Sequence, residues 1–448
     1  MNRPTASVLS CSPARKAILM SARFLLLLLI IPSAVLADDT GTPPLSFSEC
    51  YRLALARSEI IAMDAEAIAQ SRARFIQALG TALPQVSFSV LETRQESSTQ
   101  SVSTGTSTTG FFGGSTRVST RNFVFTQTLF SGFREFAAMA GSRKETAQRA
   151  QELERARQLL YSDVADAFYL LIEQRQDLRI LCESRKALED RAAEIRRREQ
   201  IGRSRPSEEA STLAQLYAVD ADIESARTQE AVARDLLEYL IGRPVGELVD
   251  YPDGTRLAGT REDYLKKARS RADVRAARLA WEAAGKSVAV ARAGLMPTVS
   301  VEGDLFTRRT SLPGSNWSGL FRIDVPIFEG TTVYGQIMEA RSRQRVAELQ
   351  LSQVERIAEQ NVKDAYSRVD LSLRREESLR KAYIASERNF TLQAQDYESS
   401  LVSNLDVLSA LLTLSDSRRS YTFALYESKR LFIQLQVAAG ESGSGGKP

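Results

Sequence analysis

The sequence predicts a mostly α-helical chain that also carries membrane β-strands, arranged as two tandem copies of one unit. Three observations predict it. Four short segments alternate in polarity: Pro84 to Val90, Asn122 to Phe130, Met296 to Val301 and Leu320 to Phe328. A long proline-free stretch with a helical apolar period follows the second and the fourth of these. Matching segments also recur at fixed offsets. Leu83-Pro84-Gln85-Val86-Ser87-Phe88 returns 213 positions later as Met296-Pro297-Thr298-Val299-Ser300-Val301, and Leu129-Phe130-Ser131-Gly132 returns 198 positions later as Ile327-Phe328-Glu329-Gly330. The 15-residue difference falls in the loop between strands, where a structural repeat tolerates insertion.

Residues 1–37 read as a signal peptide. Arg15, Lys16 and Arg23 precede an apolar run from Phe24 to Ile31, and Val35 and Ala37 make a small-residue cleavage site before Asp38. That run is short for a membrane-spanning helix. The first repeat occupies 38–242. It opens with a helix from Leu45 to Leu79, ended by Gly80 and Pro84. A β-hairpin over 84–130 follows, with an exposed Ser, Thr and Gly-rich loop from Ser97 to Ser119. A long helix over 131–200 breaks at Gly202 to Pro206. A helix over 207–241 then starts with Ser207 as N-cap and Glu208 and Glu209 in its first turn. Gly242, Pro244, Gly246 and Pro252 mark a linker over 243–259.

The second repeat occupies 260–439: a helix from Thr260 to Gly294, a β-hairpin over 297–328, a long helix over 330–400 and a helix over 404–439. The Gly and Ser-rich residues 440–448 are expected to be a disordered tail.

The formal charge of +4 comes from the leader. Removing Arg3, Arg15, Lys16 and Arg23 from the 59 basic residues leaves 55 against 55 acids, so the basic pI is no argument for nucleic acid. The chain has no histidine, which excludes Ser-His-Asp triads and most transition-metal sites. No nucleophile, metal or phosphate-binding constellation appears, so the expectation is a protein that is no enzyme and holds no cofactor or metal. Cys50 and Cys182 fall on different helices at different heights and are expected to be free thiols serving as small packing residues.

The strands have the length a tilted membrane strand needs. In the last, Phe321, Ile323, Val325 and Ile327 share one side, and Arg322, Asp324 and Pro326 the other. Four strands cannot close a barrel, and an open edge is not tolerated in lipid. Single-chain bacterial barrels begin at about eight strands, so several chains must share one; three would give twelve strands. A helix of about seventy residues reaches roughly 105 Å, far beyond a bilayer. Val346, Leu349, Val354, Ile357, Val362, Ala365 and Val369 form a coiled-coil-like stripe among charged faces. These elements suggest a helical tube projecting from a small membrane barrel, the alternative being a pore-less coiled-coil rod.

At this point the chain resembles the TolC family of outer-membrane efflux channels over nearly its whole mature length. The resemblance rests on Leu45-Ser46-Phe47-Ser48-Glu49-Cys50-Tyr51-Arg52-Leu53-Ala54-Leu55, on Pro84 and Pro297 leading into strands, on the turns Phe130-Ser131-Gly132 and Phe328-Glu329-Gly330, and on Tyr397 to Leu408 as a hairpin tip. It implies a homotrimer whose four strands per chain build one twelve-stranded barrel in outer-membrane lipid, continuous with a periplasmic helical barrel. It further implies a periplasmic adaptor and an inner-membrane pump of the RND, ABC or MFS type, and passage without chemical conversion. The cargo implied is small toxic molecules or drugs; a type I protein-secretion duct is the alternative within the fold.

The resemblance also assigns a periplasmic gate. Asp406 matches an aspartate that lines the narrowest ring, where three carboxylates would attract cations. A second aspartate is replaced by Ser409. Tyr397 matches the tyrosine of a polar lock and Glu208 its acidic partner, while Val402 occupies the lock's arginine position, which implies a weakened closed state. Gly202, Arg203, Arg205, Ser400 and Leu401 fall at the adaptor-contacting tips; Gly202 fits the family's pattern, Arg203, Arg205 and Pro206 are atypical and Ser400 replaces the second glycine, with Arg203 and Arg205 available to acidic adaptor groups.

Overall fold

The computed structural model describes residues 44–96, 115–250, 256–257, 259–309 and 316–441. The expected signal peptide, the outer part of the Ser97 to Ser119 loop and the end of the tail lie outside the described residues. The elements run α1 (Phe47–Arg57), α2 (Glu59–Gly80), β1 (Gln85–Glu96), β2 (Ser115–Ser131), α3 (Arg134–Gln200), α4 (Pro206–Ile241), α5 (Arg261–Ala268), α6 (Ala272–Ala293), β3 (Thr298–Arg309), β4 (Trp317–Asp324), α7 (Thr332–Glu398) and α8 (Asn404–Ala439).

The duplication is visible in element lengths. The helices α3 and α7 each have 67 residues, and their starts, Arg134 and Thr332, are 198 positions apart. The helices α4 and α8 each have 36 residues at the same offset, from Pro206 to Asn404. The helices α2 and α6 each have 22 residues, and β1 and β3 each have 12, at the offset of 213. The left-handed turns obey the rule too: Gly132 and Gly330, Gly202 and Ser400, Gly242 and Gly440 all have φ between 60° and 86°.

The helix expected from Leu45 to Leu79 is two helices. Ser58 ends α1, its N–H bonding to the Ala54 carbonyl at 2.8 Å, and caps α2, its Oγ accepting from the Ile61 N–H at 3.4 Å. The helix expected from Thr260 to Gly294 is likewise two, parted at Arg271. This buried arginine bonds Asp273 through Nε and Nη2, both at 2.7 Å, and donates from Nη1 to the Ala438 carbonyl at 3.2 Å. In both places the apolar phase continues across the break, so periodicity alone does not register it. Ser207 is not the N-cap of α4. Arg205 holds that position in extended conformation, and Pro206 starts the helix, where its missing N–H costs nothing. Gly440 and Glu441, expected in the tail, belong to the fold: Gly440 caps α8 and Glu441 bonds Lys267 Nζ at 2.5 Å.

The four strands form one antiparallel sheet in the order β1-β2-β3-β4. Its central pair, β2 and β3, joins the two repeats. Register sorts the side chains by face. Val86 opposes Phe125 and Phe88 opposes Phe123, with their rings 4.9 Å apart. Phe123 opposes Leu305, Val301 opposes Phe321 and Val299 opposes Ile323 on the same face. The other face carries Ser87, Ser89, Asn122, Thr126, Ser300, Glu302, Asp304, Ser318, Arg322 and Asp324. There Asn122 Nδ2 donates to Asp304 Oδ1 at 2.8 Å. The strand β4 ends at Asp324, short of the expected run to Phe328; Pro326 supplies no ladder donor. The loop expected to last to Ser119 ends earlier, since β2 begins at Ser115.

Helices α1, α3 and α4 share a core of Cys50, Ala54, Val164, Phe168, Leu171, Ala233 and Leu237, joined by Tyr426 of α8. The linker is pinned to it. Leu45 bridges Leu248, and Asp250 accepts from Tyr426 Oη at 2.7 Å and Lys429 Nζ at 2.8 Å. Cys50 is buried, and burial pushes its thiol up to about 11. Cys182 is free but exposed, so it does not have the packing role expected of it. Residue 182 directly follows Leu181, which takes the buried position.

Candidate functional site: the helix tips

At the sheet-distal end, α3 turns into α4 and α7 turns into α8. Both turns close in the same way. The Arg203 N–H reaches back to the Arg198 carbonyl at 2.8 Å, and the Leu401 N–H reaches the Asp396 carbonyl at 2.9 Å. The residue before each is left-handed, Gly202 at φ 71° and Ser400 at φ 60°. Glycine takes this conformation freely, whereas serine pays a Cβ penalty. Gly202, Arg203, Arg205, Ser400 and Leu401 are all exposed.

Asp406 is exposed in the first turn of α8 and closes a capping box. Its Oδ2 accepts from the Ser403 N–H at 2.9 Å and Ser403 Oγ at 2.6 Å, while Ser403 Oγ accepts from the Asp406 N–H at 3.4 Å. The Ser403 bonds hold the Asp406 carboxyl below its ordinary range. It therefore anchors the helix start and stays ionised. Ser409 is exposed one turn on, and Val402 is half-buried.

The expected Tyr397–Glu208 bond is replaced by other contacts. Glu208 accepts from Ser204 Oγ at 2.8 Å within its own tip. Tyr397 is 7% exposed, and its ring lies under two arginines of α3, with Arg191 Cζ 3.6 Å and Arg198 Cζ 4.4 Å from its centroid. Glu194 joins that pair, bonding Arg191 at 3.0 Å and Arg198 at 2.6 Å. Arg191 Nε donates to Asn404 Oδ1 at 2.8 Å, and Asn404 Nδ2 donates to Thr212 Oγ1 at 3.3 Å. Asn404 and Thr212 are buried. The chain of contacts thus ties α7 and α8 to α3 and α4.

Sequence reasoning missed Arg191, Glu194, Arg198, Thr212 and Asn404. The signal available was the spacing of Arg191, Glu194 and Arg198, which puts alternating charges on one helix face just above Gly202. Val402 stands where the resemblance implies an arginine on the second tip, and the arginines that lie over Tyr397, Arg191 and Arg198, belong to the first hairpin.

Behind the tips, α8 is stitched to α3 by ion pairs. Arg419 binds Asp177 through two bonds, at 2.6 and 3.0 Å, and Arg430 binds Glu173 at 2.9 Å. Burial outweighs the Arg430 charge at Glu173 and pushes its carboxyl up to about 7, with Glu427 and Asp177 adding to the rise. Among the described residues no helix is long and apolar enough to cross a membrane.

Residues 50–243 and 266–441 match the outer membrane efflux protein family. The chain belongs to the outer membrane efflux protein family. Solved structures of similar fold include CusC (TM-score 0.78, 18% identity, 88% of this chain and 92% of that one). VceC from Vibrio cholerae aligns with TM-score 0.74 and 19% identity over 88% of this chain and 96% of that one. Among curated relatives, nodulation protein T of Rhizobium leguminosarum bv. trifolii is 23% identical over 246 residues, 51% of this chain and 50% of that protein. The chain spans half or less of the length of the curated relatives it matches.

The channels of this family are passive and are not enzymes. The structural neighbours of this chain are trimeric channels with a helical barrel in the periplasm, and its two-repeat architecture fits that assembly. The sheet has an apolar face, with Val86, Phe123 and Leu305, and a polar face, with Asn122 and Asp304; a membrane barrel would turn the first to lipid and the second to its lumen. The helices join the sheet at its Gln85, Thr298 and Asp324 end, which is therefore the periplasmic end.

Proposed function

We propose that this chain forms the outer-membrane exit duct of a tripartite efflux machine for small toxic molecules. A periplasmic adaptor would seat on the tips, and an inner-membrane RND, ABC or MFS pump would supply the energy. The observation that carries this reading is the placement of an exposed, ionised Asp406 beside a buried tie between the two hairpins. In a threefold assembly Asp406 gives a ring of three carboxylates, which favours cations at a constriction.

In this reading Tyr397 belongs to the latch with Arg191 as its partner, and Glu208 stiffens the first tip through Ser204. Gly202, Arg203, Arg205, Ser400 and Leu401 form the adaptor face. Arg203 and Arg205 select acidic adaptor groups, and exposed Leu401 supplies an apolar anchor.

The test is accumulation of a fluorescent cationic dye in cells with and without the gene. Loss of the chain should raise dye retention, and restoring it should lower retention again. Unchanged dye handling together with retention of a normally secreted polypeptide would replace this reading with the type I secretion duct.

A further inference from the structure

The outer end of the sheet, opposite the helices, carries unbalanced positive charge. Between residues 91 and 121 and between 306 and 317, the charged residues are Arg94, Arg117, Arg121, Arg308 and Arg309 against Glu92 and Glu96. The strand connections 97–114 and 310–316 contain no charged residue to offset them.

Register concentrates two of these charges. Arg121 is the direct ladder partner of both Val90 and Arg308, so its side chain stands on the lipid-facing side, one rung outward from Phe88, Phe123 and Leu305. A register shift between Arg121 and Asn122 makes this arrangement. Asn122 pairs with Phe306, Thr307 is passed over, and Arg308 faces Arg121. Thr307 Oγ1 holds the shift by donating to the Arg121 carbonyl at 3.1 Å. Without the extra residue, Thr307 would oppose Arg121. Like charges placed directly opposite repel, and bulges re-aim side chains. Both arginines are exposed, and among the described residues neither has a carboxylate within ion-pair distance. Arg94 lies on the same face two rungs further out than Val90. Trp317, opposite Leu305, marks the upper limit of the apolar band at that edge.

We infer that Arg121 and Arg308 form a binding site for a phosphorylated lipid headgroup of the outer leaflet. The bulge sets two guanidinium forks side by side just above the apolar band, where such a headgroup lies while its acyl chains continue down over Leu305 and Phe123. Two forks match phosphate oxygens, and the repulsion between them is relieved only when an anion is bound. Glu92 and Glu96, at alternate positions of the same strand, temper the field without reversing its sign.

The experiment uses the purified full-length trimer in detergent, with diphosphorylated lipid A as probe. Dephosphorylated lipid A and inorganic phosphate serve as controls, and the readouts are native mass spectrometry and thermal unfolding. Lipid A should bind and raise the unfolding temperature. Arg121→Gln/Arg308→Gln should weaken binding at least tenfold. Because the substitution removes a repulsion, the variant without lipid should unfold at the same temperature as the native protein or higher, which separates loss of the site from loss of the fold. Equal lipid A binding by both proteins, or an equal effect of dephosphorylated lipid A, would overturn the site. Stabilisation by inorganic phosphate at the same concentration would overturn the lipid assignment.

Discussion

The guanidinium of Arg191, on the first long helix, lies 3.6 Å from the centre of the Tyr397 ring, at the end of the second. The same arginine bonds Asn404 at 2.8 Å. One side chain therefore reports on the spacing of both hairpins.

Arg191→Gln should loosen the tips. A desolvated cation–π contact is worth about 2 kcal/mol, and an exposed one about 0.5 to 1 kcal/mol. A double-mutant cycle with Tyr397→Leu should return a coupling in that range. In planar bilayers Arg191→Gln should raise the resting conductance of the trimer. A cycle with zero coupling and an unchanged conductance would remove Arg191 from the latch.

Ser400 and Gly202 make a reciprocal test, since they are equivalent turns with different residues. Left-handed backbone costs a non-glycine residue about 1 kcal/mol. Ser400→Gly should stabilise by roughly that amount, and Gly202→Ala should destabilise by about the same. No atom lies within 4 Å of a Cβ built at Gly202, so backbone conformation alone is being measured. Equilibrium unfolding of both variants checks the pair.

Asp406→Asn should lower cation preference and block by divalent cations in single-channel recordings. The Ser403 bonds depress the carboxyl in one chain, while the like charges of a threefold ring oppose that shift. Cation selectivity should fall as acid protonates the ring, and Asp406→Asn should remove that step from the pH profile. A native-like step in the variant would mean that another group sets it.

Glu173 governs the pH response of the α3–α8 seam. Its folded-state pKa is raised to about 7 from an ordinary 4.5, so the folded chain binds the proton more tightly than the unfolded chain does. The stabilisation is full below about 4.5 and is lost as pH rises through about 7. Unfolding followed between pH 5 and 8 should show stability decreasing across that window by up to about 1.4 kcal/mol per unit. Glu173→Gln should flatten this part of the profile; a native-like slope in that variant would assign it elsewhere.

Much of the fold was legible because the duplication records it. The pairs Leu129-Phe130-Ser131-Gly132 and Ile327-Phe328-Glu329-Gly330 already carry the 198-residue offset that α3 and α7 obey. What periodicity missed were the interruptions at Ser58, whose side chain caps the next helix, and at Arg271, which stands between two helices in non-helical conformation. The site was harder. Tyr397 and Asp406 stood out by position, but their partners depend on how two hairpins far apart in sequence lie together. Arg191 and Tyr397 are brought into contact across α3 and α7; the spacing of Arg191, Glu194 and Arg198 marks a charged face, but it does not name Tyr397 as its partner. The charge that Val402 lacks arrives from a different helix.

The sheet order β1-β2-β3-β4 leaves one lone chain with two raw borders, β1 and β4, each bearing backbone groups with no ladder partner in that chain. Such borders are prohibitive in hydrocarbon. A single copy therefore has no stable inserted form from which to recruit its neighbours. In a barrel shared by several copies, insertion and assembly would then advance together, and the rate of biogenesis should depend steeply on how many copies await it at the membrane.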